Sequence, residues 1–251
     1  MLIGARLGCV AGGRDLPEKL AILTRLGYNF LELPLSREEI AALDPASPAP
    51  YVAAVERAGL PILSTSLGHF GDFAAGTPAM QAEIVGHIRA LIGFTRAIGA
   101  DTILLATTEE PGETATYADT YRRALLPLAD EAANAGITLA LEHVGWYTPA
   151  LLARLVEAID HPAVRIYFDM GNCLYVGENP LEGARICGPL TAQLHIKGGP
   201  VAPLAAMPLV AVRDILTAAG FGGRGCLEIE PGAADRPLAE ARGLLKMAGY
   251  C

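Results

Sequence analysis

Aromatic residues are scarce, at 6% of the 251 residues with a single Trp, and charged residues make up only 18%. Few aromatics beside plentiful Ala and Leu weigh against an antiparallel sandwich and favour helices packed on a buried parallel sheet. The chain has no run of Lys and Arg, and its formal net charge is −8. Binding a polyanion needs clustered cations that release counterions, so no nucleic acid is expected as a partner. No stretch reaches the ~20 apolar residues that span a bilayer, and Arg6 breaks the apolar N-terminal run, which argues against a signal peptide. No membrane partner is expected. The five cysteines (Cys9, Cys173, Cys187, Cys226 and Cys251) are odd in number and widely spaced, with no C-x-x-C pair. That pattern fits a reduced, cytoplasmic chain with buried thiols. Gly12-Gly13 after the first apolar run is not a G-x-G-x-x-G fingerprint, and no Walker pattern occurs, which weighs against an open nucleotide-binding sheet.

What the chain does have is apolar mass, 52% of its residues, enough for a large core. Strand-like runs at 2–10, 29–35, 61–68, 101–107, 138–144, 164–170, 190–199 and 225–230 are each followed by helix-period segments. Pro17, Thr77-Pro78, Thr148-Pro149 and Pro180 mark helix starts, and Gly27, Gly136 and Gly188-Pro189 mark stops. Eight strand-then-helix units with no linker predict an α/β protein, a single (β/α)8 TIM barrel domain over residues 1–251. An open doubly wound sheet is the alternative.

In such a barrel chemistry sits at the C-terminal ends of the strands. Four apolar runs end in polar residues: LALEH at Glu142, VRIYFDMGN at Asp169, LTAQLHIKGG at His195 and Lys197, and GCLEIEP at Glu228 and Glu230. Converging buried carboxylates repel one another unless a cation joins them. One divalent metal ion held by three carboxylates and an imidazole answers that cost. Mn²⁺, Mg²⁺ or Co²⁺ suits this donor set, and Zn²⁺ can be accommodated. Each residue also has a plainer reading. Glu142 can pair with an Arg, Asp169 can cap the turn at Gly171-Asn172, and His195 can be a satisfied core histidine. Strand parity puts Lys197 beside His195, on a substrate oxygen or in a salt bridge, and does not choose between Glu228 and Glu230. Glu32 at the end of the second strand is a candidate for a substrate hydroxyl, and His69 for the pocket lining. Trp146 and Tyr147 either wall the pocket or cover the barrel mouth.

The same segments carry a resemblance. LALEH, FDMGN, QLHIKG and GFGGRGCLEIE, in that order, resemble the motifs of strands five to eight in the xylose isomerase-like TIM barrel superfamily. This is the sugar phosphate isomerase/epimerase family, which also holds endonuclease IV and inosose dehydratase. Counting from Gly220 in the last motif selects Glu228 over Glu230. The resemblance implies a divalent-metal-dependent sugar or sugar phosphate isomerase/epimerase that moves protons through a metal-stabilised enediolate. Glu142, Asp169, His195 and Glu228 would hold the metal, and Glu142 and Glu228 would also carry the proton. Glu32, His69, Asn172 and Lys197 would face a small sugar-like substrate. Asn172 stands where many epimerases have His, and Gly198 where the motif has Asp. The alternatives on the same scaffold are a metal-dependent dehydratase of a polyol or keto acid and a non-catalytic small-molecule-binding barrel. An endonuclease reading is opposed by the negative charge and by the lone histidine among the core ligands. A barrel's helical exterior is compatible with a homo-oligomer.

Overall fold

The computed structural model describes residues 1–68, 70, 73, 76–108, 114–199 and 202–250, with backbone only for 114–116. Eight parallel strands close into a barrel in chain order: β1 (Leu2–Arg6), β2 (Phe30–Leu35), β3 (Ile62–Leu67), β4 (Thr102–Thr107), β5 (Thr138–His143), β6 (Val164–Asp169), β7 (Thr191–Ile196) and β8 (Arg224–Leu227). The last strand pairs with the first, Gly4 standing opposite Cys226. The connecting helices are α1 (Leu16–Arg25), α2 (Arg37–Ala41), α3 (Ala49–Ala58), α4 (Pro78–Ala97), α5 (Thr114–Ala135), α6 (Pro149–Ile159), α7 (Asn172–Tyr175), α8 (Pro180–Cys187) and α9 (Leu209–Ala218), and α10 (Arg236–Met247) follows β8. The expected single barrel is therefore the fold. Among the described residues no helix is long and apolar enough to cross a membrane.

Local sequence explains where the helices begin. Asp15, Thr77, Thr148 and Asn179 each accept a backbone N–H from the first turn, and each is followed by a proline in that turn. α2 starts on a reciprocal pair between Ser36 and Glu39. Prompt helix starts keep the strand-to-helix loops short, which fixes the strand ends.

Three strand ends differ by more than one residue from the sequence reading, among them β7, which ends at Ile196 instead of residue 199. β1 ends at Arg6 instead of residue 10, because residues 7–9 form a tight turn that tucks the Cys9 thiol beneath the end of β8. β8 stops at Leu227 instead of residue 230. The Glu228 amide still reaches Ile196 O (3.1 Å), but the Ile229 amide leaves the ladder and donates to Cys9 Sγ (3.2 Å). The short helix α7 follows β6 directly, with the Asp169 carboxylate accepting the amides of Gly171 and Asn172.

Two apolar layers result. One lies between strands and helices. The other, inside the barrel, contains Phe30, Leu104, Ala106, Ala140, Tyr167 and Cys226. Phe30 needs Gly4 opposite it, since a β-carbon at Gly4 would lie 2.5 Å from its ring. Below, Arg224 covers the Phe30 ring at 5.8 Å and donates to Thr102 (2.8 Å) and to Asp101 (3.1 Å). This closes the floor, so function is confined to the opposite end.

Candidate metal centre

Strand register assembles the site. Asp169 is the ladder partner of His195 and His195 of Cys226, while Glu142 is one strand further round, opposite Tyr167. His195 Nδ1 lies 2.7 Å from Glu142 Oε1, 3.6 Å from Asp169 Oδ2 and 3.7 Å from Glu228 Oε2. One ligand atom from each of these four residues falls within 4.8 Å of the others. The Asp169 side chain divides its work. Its Oδ1 accepts the amides of Gly171 (2.7 Å) and Asn172 (3.0 Å). Its buried Oδ2 makes no hydrogen bond, although the Lys197 ammonium is 2.9 Å away off the bonding direction. The turn-capping role and the ligand role therefore use different oxygens. A buried carboxylate oxygen with free lone pairs, facing an imidazole nitrogen and two more carboxylates, fits a divalent cation with N and O ligands.

The electrostatics agree with a site short of positive charge. Burial, together with the neighbouring Asp169 and Glu228, pushes the Glu142 carboxyl up to about 7, against the pull of His195. Burial would do the same to Asp169, but Lys197 and His195 outweigh it and hold that carboxyl below its ordinary value. Burial opposes charge on His195, yet the groups around it, Glu32, Glu142 and Glu228 among them, raise it well above the usual imidazole range. The imidazole is thus a doubly protonated cation until something displaces the proton on Nδ1.

The family can now be assigned on independent grounds. Residues 20–247 match the model of the xylose isomerase-like TIM barrel. The chain belongs to that family. Solved structures with the same fold include the 3-keto-D-glucoside 4-epimerase YcjR of E. coli in its apo form. It is 18% identical, with a TM-score of 0.79 over 100% of both chains. An L-ribulose 3-epimerase is 20% identical, with a TM-score of 0.80 over 99% of this chain and 94% of the other. The IolI protein with a bound zinc atom is 17% identical, with a TM-score of 0.79 over 99% and 96%. No curated protein matches by sequence.

Around this family's barrel mouth the remaining residues take distinct positions. Lys197 donates to Glu228 Oε2 (2.8 Å), so its ammonium bridges two of the four clustered carboxyl and imidazole residues. Glu32 is 0% exposed. One of its oxygens lies 2.7 Å from Arg6 Nη1 and 3.3 Å from His195 Nε2. The other accepts from Ser64 (3.4 Å) and from the Tyr167 hydroxyl. Gln193 Nε2 extends this network to Ser64 Oγ (3.1 Å) and the Tyr167 oxygen. Asn172 is buried and donates to His143 O (2.8 Å), clamping the ends of β5 and β6. His143 faces away from Glu142, as parity requires, and stacks on Phe168 at 5.7 Å. Tyr147 is buried against Tyr117, whereas Trp146 is 61% exposed at the rim. His69 lies outside the described residues.

Arg6 is the residue that sequence reasoning missed. Its guanidinium bridges Glu32 and Glu228 (3.5 Å), and it lines a cavity of about 500 Å³ together with Cys9, Tyr175, Lys197, Glu228 and Glu230. The signal was a cation inside an otherwise apolar run, which a strand tolerates at its polar end.

Proposed function

We propose that the chain is an enzyme, a divalent-metal-dependent sugar isomerase or epimerase. The observation that carries this reading is the set of four ligand atoms, within 4.8 Å, contributed by the ends of β5 to β8 beside an open cavity. Several fold neighbours are epimerases, which supports the same class. Glu142, Asp169, His195 and Glu228 would hold the ion. When bound, it would supply Lewis acidity to a carbonyl beside the C–H to be broken.

The chain's own groups then divide the work. Glu142, buried at the end of β5 beside His195, is the first carrier of the proton next to the carbonyl. Glu228, partly exposed on the cavity wall, is the second carrier. Return to the opposite face of the same carbon inverts that centre, and return to the neighbouring carbon interconverts aldose and ketose. Lys197, also on the cavity wall, offers an ammonium to a substrate oxygen. Glu32 acts through His195, accepting its Nε2–H and leaving Nδ1 to face the ligand cluster. The test is elemental analysis after dialysis against Mn²⁺, with Glu142→Ala and His195→Ala alongside, followed by a ketose panel with product identification. About one ion per unmodified chain, lost in both variants, with epimerised or isomerised product, is expected. Background metal in the unmodified chain would refute the reading.

A further inference from the structure

We infer that the site accepts uncharged sugars and discriminates against phosphorylated or carboxylated ones; this rests on the function proposed above. The argument begins with the two cations at the mouth. Arg6 is engaged by Glu32 and Glu228, and Lys197 by Asp169 and Glu228. Each is already shared between two carboxylates, so neither has charge to spare for an incoming anion. The inner set is Glu32, Glu142, Asp169 and Glu228 against Arg6 and Lys197. A divalent ion brings those four negative charges and two positive ones to balance and leaves no surplus.

The sequence of the surrounding loops points the same way. Between each strand end and the helix that follows it, the only Lys or Arg side chains are Arg6, Arg14 and Lys197. Arg14 is exposed and paired with Glu18. On the cavity wall itself stand Glu228 and Glu230. A phosphate entering the cavity would therefore meet like charge there, and such juxtaposition in a cleft is strongly unfavourable.

Backbone amides are the other means of holding a phosphate in a barrel, and those after β6 and β7 that the structure shows engaged are turned to protein oxygens. The Gly199 amide donates to Ala202 O (2.8 Å), and those of Gly171 and Asn172 to Asp169. The glycines after β7 do not face open space. A β-carbon at Gly198 would lie 2.7 Å from Ala202 O, and one at Gly199 would lie 2.6 Å from the Leu174 side chain. They serve close packing of the loop and form no cradle.

The experiment uses the Mn²⁺-loaded full chain and paired probes, D-fructose with D-fructose 6-phosphate and D-ribulose with D-ribulose 5-phosphate. Exchange of the proton next to the carbonyl is followed by NMR in D₂O, and kcat/KM is compared within each pair. The free sugar is expected to be favoured at least about 100-fold at low salt. Added NaCl narrows the gap by screening the repulsion, and Glu230→Gln narrows it at constant salt. A phosphorylated probe that matches or exceeds its free partner overturns this inference and leaves the proposed function standing. No exchange with either member of both pairs overturns the proposed function, and this inference with it.

Discussion

If the four clustered residues hold a metal ion as proposed, its uptake has to displace protons. In the metal-free protein the His195 imidazole is doubly protonated, held so by the carboxylates around it, and its Nδ1 proton lies between the ring and Glu142. That proton must leave before Nδ1 can act as a ligand. Glu142 adds a second, because its carboxyl is pushed up to about 7 by burial and by Asp169 and Glu228. At pH 8 Glu142 is largely ionised and adds little. At pH 6 it is roughly nine-tenths protonated, so its proton leaves as well. Affinity should therefore fall about 10-fold between pH 8 and pH 6 through Glu142 alone, and further through the imidazole. Titration calorimetry with Mn²⁺ in buffers of unlike ionisation enthalpy counts the protons directly. Release of well under one proton at both pH values would refute the reasoning, since Nδ1 and Glu142 would then not be the ligands. The same carboxyl sets a trend in the metal-free protein. Its folded value lies above the ordinary 4.5, so its contribution to stability is full below pH 4.5 and lost as the pH rises through about 7. The loss is about 3 kcal/mol.

Other changes separate neighbouring roles. Glu32→Ala should weaken Mn²⁺ binding about 10- to 100-fold, because His195 loses the acceptor that orients it; calorimetry that finds unchanged affinity in a folded variant removes that role. Lys197→Met should lower the stability of the metal-free protein by about 3 kcal/mol, since Asp169 and Glu228 lose their shared ammonium. The same variant should bind Mn²⁺ more tightly, and urea unfolding with and without metal tests both signs. Gly4→Ala should cost about 1–3 kcal/mol by pressing on Phe30 inside the barrel. Pairing it with Phe30→Leu should recover part of that loss, as read from the thermal midpoints of the single and double variants.

The barrel was legible because each strand is an apolar run closed by a cap, a proline or a glycine, and such punctuation is local. Glu142, Asp169, His195 and Glu228 were legible as a group because each interrupts hydrophobicity at a strand end. Arg6 was hidden because apolar residues continue past it to Val10, and only the turn over residues 7–9 shows where the strand stops. Parity alone could not separate Glu228 from Glu230, and only the resemblance of the last motif, counted from Gly220, selected Glu228. The network of Glu32, Ser64, Tyr167 and Gln193 left no trace in the sequence. Its hydrogen bonds join residues 26 to 135 positions apart, and no spacing rule reaches that far. The same distance concealed the complete burial of Glu32.

The seam between β1 and β8 has a consequence for assembly. Three of the four clustered residues lie on β5, β6 and β7, neighbours that can pair without the rest of the barrel. The fourth, Glu228, follows the last strand and is steadied by Arg6 from the first. A chain lacking β8 holds an incomplete ligand set, and a barrel open at the seam leaves Glu228 without its guanidinium. On the proposed ligand set, circularisation of the sheet and completion of the ion cage would be a single event. Uptake of metal would then report that the two ends of the barrel have met.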